Sequence, residues 1–406
     1  MADISTCLPL TRSSVQEAHK IVKPYIHYTP LLTNKTLTAL ASTPRTPAEL
    51  EGTSWAGREP AKPKIRLWFK CENFQKIGAF KVRGAFHALT RLIAEDGWEA
   101  SGGKEKGVVT HSSVARLTIL SSAMTGNHAQ ALALAARTMG IPAYIVMPTI
   151  STPTKIAATK GYGAKVIFSG STSVEREAVV EEVIKETGAR LVPPYDHPDI
   201  MLGQGTLGLE MQEQAESMIA GGKSQDFGSL TVIPDGDASK ENSEGKRKGL
   251  NAIIAPCGGG GMLSGVALSC EGTGIYVFGA EPEFEGADDL KRGLETGKRI
   301  EQVKTLTIAD GLRTPVGAYP WSVLSNKKLL RGAYSVTEEQ IKAALKLVLE
   351  RMKVVVEPSS VVGLATALYN EDFRKLVEEE AGEEGWDLGI VFSGGNISME
   401  ALSKLL

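Results

Sequence analysis

Apolar runs and amphipathic stretches alternate along most of the chain. Short apolar runs predict buried strands at 107–110, 143–147, 164–168, 250–255, 276–280 and 388–392. The stretches between them predict helices at 127–139, 155–160, 174–187, 262–269 and 337–353. Thr337 and Gln340 fit a capping box at the start of the last helix. Strands and helices alternating at this spacing are typical of βαβ units, so we predict an α/β fold with a mostly parallel sheet.

Three segments interrupt this alternation. Residues 42–64 are rich in Pro, Gly and Glu and predict a surface loop. Residues 224–248 are polar and charged and predict a second loop excursion. Residues 114–125, VARLTILSSAMT, are mostly apolar and directly precede Gly126-Asn127-His128. We treat all three as additions to the α/β pattern.

Composition narrows the class of protein. The 406 residues are 42% apolar and 23% charged, which fits a soluble globular protein of two or three domains, or one large domain with an inserted lobe. The net charge of −2 weighs against nucleic acid or an anionic membrane as the main partner. No apolar run reaches the roughly 18 residues of a membrane helix, and the first ten residues show no secretory signal.

The four cysteines, Cys7, Cys71, Cys257 and Cys270, show no CxxC spacing. Their positions indicate neither a zinc site nor a disulfide framework. Reduced thiols are typical of cytosolic proteins, so we expect a cytoplasmic protein.

Lys81 is the first candidate for chemistry. It lies in the segment KCENFQKIGAFKVRGA, residues 70–85, between apolar Phe80 and Val82. Burial disfavours the charged ammonium form, and a neutral amine can attack a carbonyl to form a Schiff base. Spacing alone favours a solvated basic helix start.

A glycine run, CGGGGM at 257–262, lies between a predicted strand and a predicted helix. Backbone N–H groups at such a junction suit a phosphate. The run matches neither GxGxxG nor GxxxxGK[ST], which disfavours a dinucleotide site or a P-loop. Two polar turns, TGNHAQ at 125–130 and SGGN at 393–396, are further candidates, although each could be only a cap or a turn.

Taken together, these segments resemble the fold-type II pyridoxal-phosphate (PLP) enzymes, in particular the serine/threonine dehydratase and serine racemase branch. The resemblance runs from PYIHYTPL, at 24–31, to the end of the chain, apart from the three additions. It implies a tryptophan-synthase-β-like fold of two lobes, each with an open, mostly parallel sheet flanked by helices. We place a discontinuous cofactor-binding domain at 1–106 and 199–406, and a small inserted domain at 107–198.

The resemblance also implies roles for single residues. Lys81 would join the cofactor covalently and act as a base on one face of the substrate Cα, with Phe80 beside the ring. Asn127 would bind the phenolic oxygen, and Ser393 would face the pyridine nitrogen. The phosphate would be held by Gly258, Gly259, Gly260, Gly261 and Met262. The substrate would contact Gly126, Asn127, His128, Arg176 and Thr314.

The racemase branch further implies a divalent cation. Its ligands here would be Glu281, the Ala287 carbonyl and Asp289. All-oxygen ligation suits Mg²⁺, Mn²⁺ or Ca²⁺. The expected partners are a small amino-acid substrate and a second copy of the chain, with a nucleotide activator left open.

The chain departs from the family pattern at residues 114–125. The pattern Ser-Ser-Gly-Asn-His would be continuous if Val114 to Thr125 were absent, since Ser113 would then precede Gly126. An error in the coding sequence is one hypothesis for this segment. Either Ser113 or Thr125 could supply the acid or base on the second face of the substrate.

Three functions therefore stay open at this point. The first is a deaminating lyase that converts L-serine or L-threonine to a 2-oxo acid and ammonia. The second is a serine racemase with side β-elimination. The third is a catalytically impaired PLP-binding homologue, suggested by the interrupted turn.

Overall fold

The structure is a computed structural model of the full chain, and it describes residues 3–111, 126–151, 153–170, 172–220 and 249–406. Two of the predicted loop excursions, 114–125 and 224–248, lie outside these residues.

Two sheets organise the described residues. Their strands are β1 Leu31–Thr33, β2 Ile65–Cys71, β3 Val108–His111, β4 Ala143–Pro148, β5 Lys165–Ser169, β6 Arg190–Leu191, β7 Ala252–Pro256, β8 Tyr276–Pro282, β9 Gly332–Val336 and β10 Trp386–Phe392. The helices are α1 Arg12–Val22, α2 Lys35–Ser42, α3 Pro47–Leu50, α4 Lys81–Ile93, α5 Gly103–Lys106, α6 Asn127–Met139, α7 Pro153–Gly161, α8 Ser173–Thr187, α9 Pro198–Ile219, α10 Gly261–Ser269, α11 Asp289–Thr296, α12 Ala318–Leu324, α13 Glu338–Leu347, α14 Val362–Tyr369, α15 Glu371–Ala381 and α16 Met399–Leu405.

The larger sheet has six strands in the order β1-β2-β10-β7-β8-β9. Every neighbouring pair is parallel except β1 and β2, which are antiparallel. The smaller sheet has four parallel strands in the order β5-β4-β3-β6. The sequence prediction of an α/β fold with mostly parallel sheets flanked by helices is therefore confirmed.

The two sheets draw on different parts of the chain. Strands of the smaller sheet lie between residues 108 and 191, and strands of the larger sheet lie before 72 and after 251. The domain boundaries proposed from the sequence, 1–106 with 199–406 and 107–198, stay a prediction.

Successive side chains of β2 point to opposite faces of the larger sheet, and both faces are buried. Leu67 and Phe69 join a core that includes residues of α2, α13 and α14, whereas Trp68 joins a second core with residues of α1, α9 and α10. Strands covered on both faces explain the continuous apolar runs in the sequence. The carboxyl ends of such strands are where ligands bind in α/β folds.

Two elements differ in extent between the sequence prediction and the structure. The capping box of Thr337 and Gln340 is present, but α13 ends at Leu347 instead of Lys353. A wider helical turn follows at Val348–Met352, and Lys353 has a left-handed backbone with φ of 62°. The predicted surface loop 42–64 contains α3, which Thr46 and Glu49 cap, so this segment is not irregular throughout.

A buried group of four charges fixes α4 against β2 and α9. Arg83 donates to Glu72 at 2.7 and 2.8 Å and to Glu210 at 2.8 and 2.7 Å. Lys70 donates to Glu210 at 2.7 Å. All four side chains are at most 1% exposed, and two cations offset two anions. None of the described helices is long and apolar enough to cross a membrane.

Candidate active site

A cavity lies at the carboxyl ends of β7 and β10. Ligands of α/β folds bind at this edge of a parallel sheet. The lining residues are Phe80, Lys81, Asn127, His128, Pro194, Tyr195, Pro256, Gly258, Gly259, Gly260, Gly261, Met262, Gly311, Leu312, Thr314, Glu357, Ser359 and Ser393. The cavity thus brings together the lysine segment, the glycine run and both polar turns predicted from the sequence.

Lys81 begins α4 and carries an amine poised for nucleophilic chemistry. Its Nζ donates to the Pro194 carbonyl at 2.8 Å and lies 5.2 Å from the centre of the Phe80 ring. Burial lowers the pKa of Lys81 to about 8, although the Glu357 carboxylate opposes this shift. A substantial neutral fraction near neutral pH is what a Schiff-base lysine needs. The alternative of a solvated basic helix start does not fit this environment.

The backbone before Lys81 is tied to the turn after β10. The Phe80 N–H donates to the Ser393 carbonyl at 3.0 Å, and Ala79 forms a bridge with Gly394. These bonds hold the start of α4 against the end of β10. The backbones that carry Lys81 and Ser393 are therefore held side by side in the cavity wall.

The glycine run forms a tight turn between β7 and α10. Gly260 has a φ of 83°, a left-handed conformation that disfavours residues with a side chain. A Cβ added to Gly259 would lie 2.4 Å from the Tyr195 ring. The run therefore has no room for side chains at these positions. Its N–H groups at the start of α10 suit an anionic ligand.

Asn127 occupies the first turn of α6 and is 6% exposed. Its Oδ1 accepts from Asn396 Nδ2 at 2.7 Å, and its Nδ2 donates to Glu357 Oε1 at 3.5 Å. Asn396 also donates to the Ile77 carbonyl at 2.7 Å. This arrangement fixes which end of the Asn127 amide faces Glu357.

His128 is buried beside Asn127. Its Nε2 donates to the Val192 carbonyl at 3.2 Å, because a carbonyl can only accept. Burial, followed by the charge of Lys81, lowers the pKa of His128 to about 3. The imidazole is therefore neutral near pH 7 and is not an acid there.

Ser393 lies at the end of β10 and is 4% exposed. Its hydroxyl is 3.1 Å from that of Ser360, which donates to the Gly394 carbonyl at 2.6 Å and accepts from the Gly394 N–H at 2.8 Å. The turn after β10 thus presents a neutral hydroxyl to the cavity.

The comparisons with known proteins agree with this geometry. The sequence signature described as "pyridoxal-phosphate dependent enzyme" matches residues 46–394. The chain belongs to this family. It is therefore an enzyme whose cofactor is PLP, and its fold is that of the fold-type II members.

Individual relatives cover nearly the whole chain. It is 36% identical over 401 residues to the serine racemase of Dictyostelium discoideum, covering 98% of each protein. It is 32% identical over 399 residues to the L-threo-3-hydroxyaspartate ammonia-lyase of Saccharomyces cerevisiae, covering 98% of this chain and 96% of that protein. The solved structure of maize serine racemase superposes with a TM-score of 0.73 at 34% identity, covering 97% and 96% of the two chains.

The residues of the cavity fit PLP chemically. An amine of lowered pKa suits the aldehyde, a side-chain-free turn suits the phosphate, and a hydroxyl and an amide suit the ring's polar atoms. These matches rest on the chemistry of the groups.

Of the remaining predicted site residues, some lie at the cavity and others do not. Thr314 lines the cavity, and Gly126 is buried at the N-cap of α6. Arg176 is buried on α8 and does not line the cavity. Ser113 and Thr125 lie outside the described residues. A substrate role for Arg176, and a catalytic role for Ser113 or Thr125, stay predictions.

The predicted metal ligands lie outside the lining, at the end of β8 and the start of α11. Glu281 accepts from the N–H groups of Leu290 and Lys291, each at 2.9 Å, and Asp289 accepts from that of Val316 at 2.9 Å. Burial raises the pKa of Asp289 to about 6, and burial and Asp289 together raise that of Glu281. Neither carboxylate forms an ion pair among the described residues, although the Arg292 charge opposes the rise in the pKa of Asp289, and two such buried carboxylates suit a divalent cation.

Sequence reasoning missed several residues of the cavity wall. Glu357, Tyr195 and Ser359 all line the cavity, yet none belongs to the lysine segment, the glycine run or the two polar turns. Glu357 interrupts an apolar stretch, VVVEPSSVV, and a charge in such a stretch was the available signal.

Proposed function

We propose that PLP binds in this cavity with Lys81 as its covalent attachment point. Gly258, Gly259, Gly260, Gly261 and Met262 hold the phosphate, Asn127 the phenolic oxygen and Ser393 the pyridine nitrogen. When bound, the cofactor withdraws electrons from the substrate Cα and thereby makes its proton easier to remove. The observation that carries this proposal is the meeting of the Lys81 amine with the glycine run, Asn127 and Ser393 in one cavity, and burial of Lys81, which lowers its pKa, supports it.

The reaction we propose is deamination of a small β-hydroxy amino acid such as L-serine or L-threonine. Once the substrate amine has taken its place on the cofactor, Lys81 Nζ accepts the proton that leaves Cα and passes it to the β-hydroxyl, which departs as water. Hydrolysis then yields a 2-oxo acid and ammonia. The ammonia-lyase from Saccharomyces cerevisiae supports this reaction class. Elimination needs a proton acceptor on one face of Cα, a role that Lys81 suits.

Serine racemisation is the second candidate. The full-length likeness to serine racemases favours it. Racemisation requires a second proton-transfer group opposite Lys81, because the proton must return to the other face. His128 does not suit this role as an acid, since its pKa is about 3. We propose Ser113 or Thr125 as this group, with Arg176, Gly126 and Thr314 near the substrate.

We further propose a divalent cation, Mg²⁺ by preference, at Glu281, Asp289 and the Ala287 carbonyl. Oxygen ligands and a pair of buried carboxylates support it. A homodimer, activation by a nucleotide and a cytoplasmic location are proposals that rest on the family resemblance and on composition. Light scattering, activity with and without added nucleotide, and cell fractionation test them.

A substrate panel tests the function. Purified holoenzyme would be incubated with L-serine, L-threonine and 3-hydroxyaspartate, with and without Mg²⁺, and assayed for 2-oxo acid and stereochemistry. We expect 2-oxo acid and ammonia in equal amounts, and their loss in Lys81→Ala. Formation of D-serine without pyruvate would reject the lyase activity and support the racemase activity. A yellow protein that forms neither product would be an impaired homologue.

A further inference from the structure

Three side chains with metal-binding atoms meet outside the cavity. Cys7 Sγ lies 3.6 Å from Asp199 Oδ2 and 4.0 Å from His197 Nε2. One ligand atom from each residue lies within 4.8 Å of the other two. Cys7 comes from the N-terminal segment, whereas His197 caps α9 and Asp199 lies in its first turn. The cluster therefore joins parts of the chain about 190 residues apart.

The surroundings of Asp199 favour a cation at this point. Asp199 is 1% exposed, and its Oδ1 has no hydrogen-bond partner among the described residues. Arg91 Nε stands 3.7 Å from Oδ1 and forms an ion pair with it, but the distance is too long for a hydrogen bond. Arg91 instead donates to the Thr6 carbonyl at 2.6 Å. A buried carboxylate with incomplete hydrogen bonding is unusual, because each unsatisfied polar atom destabilises the fold.

We propose that Cys7, His197 and Asp199 form a binding site for Zn²⁺ or a similar transition-metal cation. The site is distinct from the all-oxygen site proposed at Glu281 and Asp289, because thiolate and imidazole prefer softer metals. Zinc bonds of about 2.0–2.3 Å set neighbouring tetrahedral ligands roughly 3.3–3.6 Å apart. The Cys7–Asp199 distance of 3.6 Å already fits, and Cys7 and His197 need to approach by a few tenths of an ångström. The ligand atoms of His197 and Asp199, which lie within 4.8 Å of each other, must also come into this range.

Protons must move when the metal binds. Burial and the Asp199 carboxylate raise the pKa of the Cys7 thiol, so the metal itself must displace this proton, which passes to solvent from the half-buried side chain. His197 Nδ1 accepts from the Asp199 N–H at 3.2 Å, so the neutral ring carries its proton on Nε2. Coordination through Nε2 moves this proton to Nδ1, which gives up the long capping bond from the Asp199 N–H. Thiolate and carboxylate then balance the two charges of the metal, and the fourth position is open to water.

The metal would tie the N-terminal segment to the start of α9. This start lies close to the cavity, because Pro194 accepts from Lys81 and Tyr195 packs on the glycine run. Metal binding to the folded state alone also stabilises it in proportion to occupancy.

Cobalt titration of the holoenzyme tests the site. Mg²⁺ in excess first fills the oxygen site, and Co²⁺ is then added as a spectroscopic probe and displaced with Zn²⁺. We expect one equivalent with a thiolate-to-cobalt charge-transfer band and a four-coordinate visible spectrum. Cys7→Ser and Asp199→Asn should each weaken binding about tenfold or more. Cys270→Ser, the same change at a buried thiol elsewhere, should bind as wild type does.

Two results would overturn the proposal. One is the absence of a thiolate band in wild-type holoenzyme at saturating Co²⁺. The other is a dissociation constant for Zn²⁺ that is the same in Cys7→Ser as in wild type. Cys7 is only half-buried, so its replacement by serine keeps the test valid even if Asp199→Asn fails to fold.

Discussion

Arg83 and Glu210 bind each other through two parallel hydrogen bonds in the interior of the protein. Nη1 donates to Oε1 at 2.8 Å and Nη2 donates to Oε2 at 2.7 Å. Burial alone would raise the pKa of Glu210, but Arg83 and Lys70 lower it to about 2. Because the pKa is lower in the folded state, this pair stabilises the fold above the unfolded carboxyl pKa of about 4.3. The stabilisation is lost as the pH falls toward 2.

Glu210→Gln should strongly destabilise the enzyme, because it leaves Arg83 and Lys70 facing Glu72 alone. Removing one partner of a buried pair costs about 3–5 kcal/mol. Urea denaturation followed by tryptophan fluorescence measures the change. The matched control is Glu17→Gln, which breaks an exposed pair with Lys20 and should cost less than about 1 kcal/mol. Equal effects of the two variants would show that the buried group does not stabilise α4.

Uptake of PLP by the apoenzyme should follow the titration of Lys81. Burial lowers the pKa of Lys81 to about 8, so the neutral amine accumulates as the pH rises through 8. An exposed lysine would titrate at about 10.4. The rate of PLP uptake, followed by absorbance from pH 6 to 10, should be half-maximal near pH 8. Borohydride trapping and peptide mapping identify the modified residue.

Glu357→Gln tests the electrostatic part of this prediction. The Glu357 carboxylate raises the pKa of Lys81, so its neutralisation should move the uptake midpoint below pH 8. A midpoint near 10 in wild type, or an upward shift in the variant, would contradict the environment described for Lys81.

Gly259→Ala should weaken PLP binding without unfolding the protein. The new Cβ would lie 2.4 Å from the Tyr195 ring, so the ring or the turn must move. Overpacking of about 1–3 kcal/mol corresponds to roughly 5- to 140-fold in affinity if it acts fully on binding. Equilibrium dialysis measures the affinity. Gly161→Ala, where a Cβ meets nothing within 4 Å, is the control and should bind PLP normally.

Mg²⁺ should raise the thermal midpoint of the holoenzyme, because it neutralises the buried carboxylates of Glu281 and Asp289. A ligand at 100 times its dissociation constant stabilises by about 2.7 kcal/mol. Glu281→Gln should abolish the response while keeping an acceptor for the N–H groups at the start of α11. Differential scanning fluorimetry across a Mg²⁺ series checks both proteins. An equal response of the variant would place the cation elsewhere.

Deletion of residues 114–125 should increase activity, because Ser113 then directly precedes Gly126 as in the family pattern. Comparison of kcat for the full and shortened chains, with Ser113→Ala added to each, measures the effect. If the coding-sequence hypothesis holds, the mature transcript lacks these codons. A shortened chain that is less active than the full one would indicate that the segment takes part in function.

The local elements were predictable because burial of one face of a helix or strand places apolar residues at a regular spacing in the sequence. α6 begins at Asn127 and ends at Met139, as its amphipathic pattern and Gly140 predict. The end of α13 was not predictable, because the apolar pattern continues through the wider turn at 348–352. Periodicity reports which face is buried, but not the hydrogen-bond register that ends the helix.

The cavity was predictable only in part. Lys81 and the glycine run lie in short continuous motifs, so their chemistry can be recognised from the sequence without the fold. Glu357 reaches the cavity through the pairing of its N–H with the Gly394 carbonyl at 3.0 Å, a tertiary contact. The cluster of Cys7, His197 and Asp199 depends on chain folding in the same way, so the cysteine spacing alone gave no sign of it.

Alkylation of the buried thiols can report local unfolding of the enzyme. Cys71, Cys257 and Cys270 are at most 5% exposed, and burial raises the pKa of each. The thiolate is the reactive form, so an alkylating reagent at neutral pH meets almost none of it while the chain stays folded. The rate of labelling at each of these three positions, measured by mass spectrometry, would therefore give the rate of local unfolding at its own site. The three sites are the end of β2, the glycine turn and the end of α10.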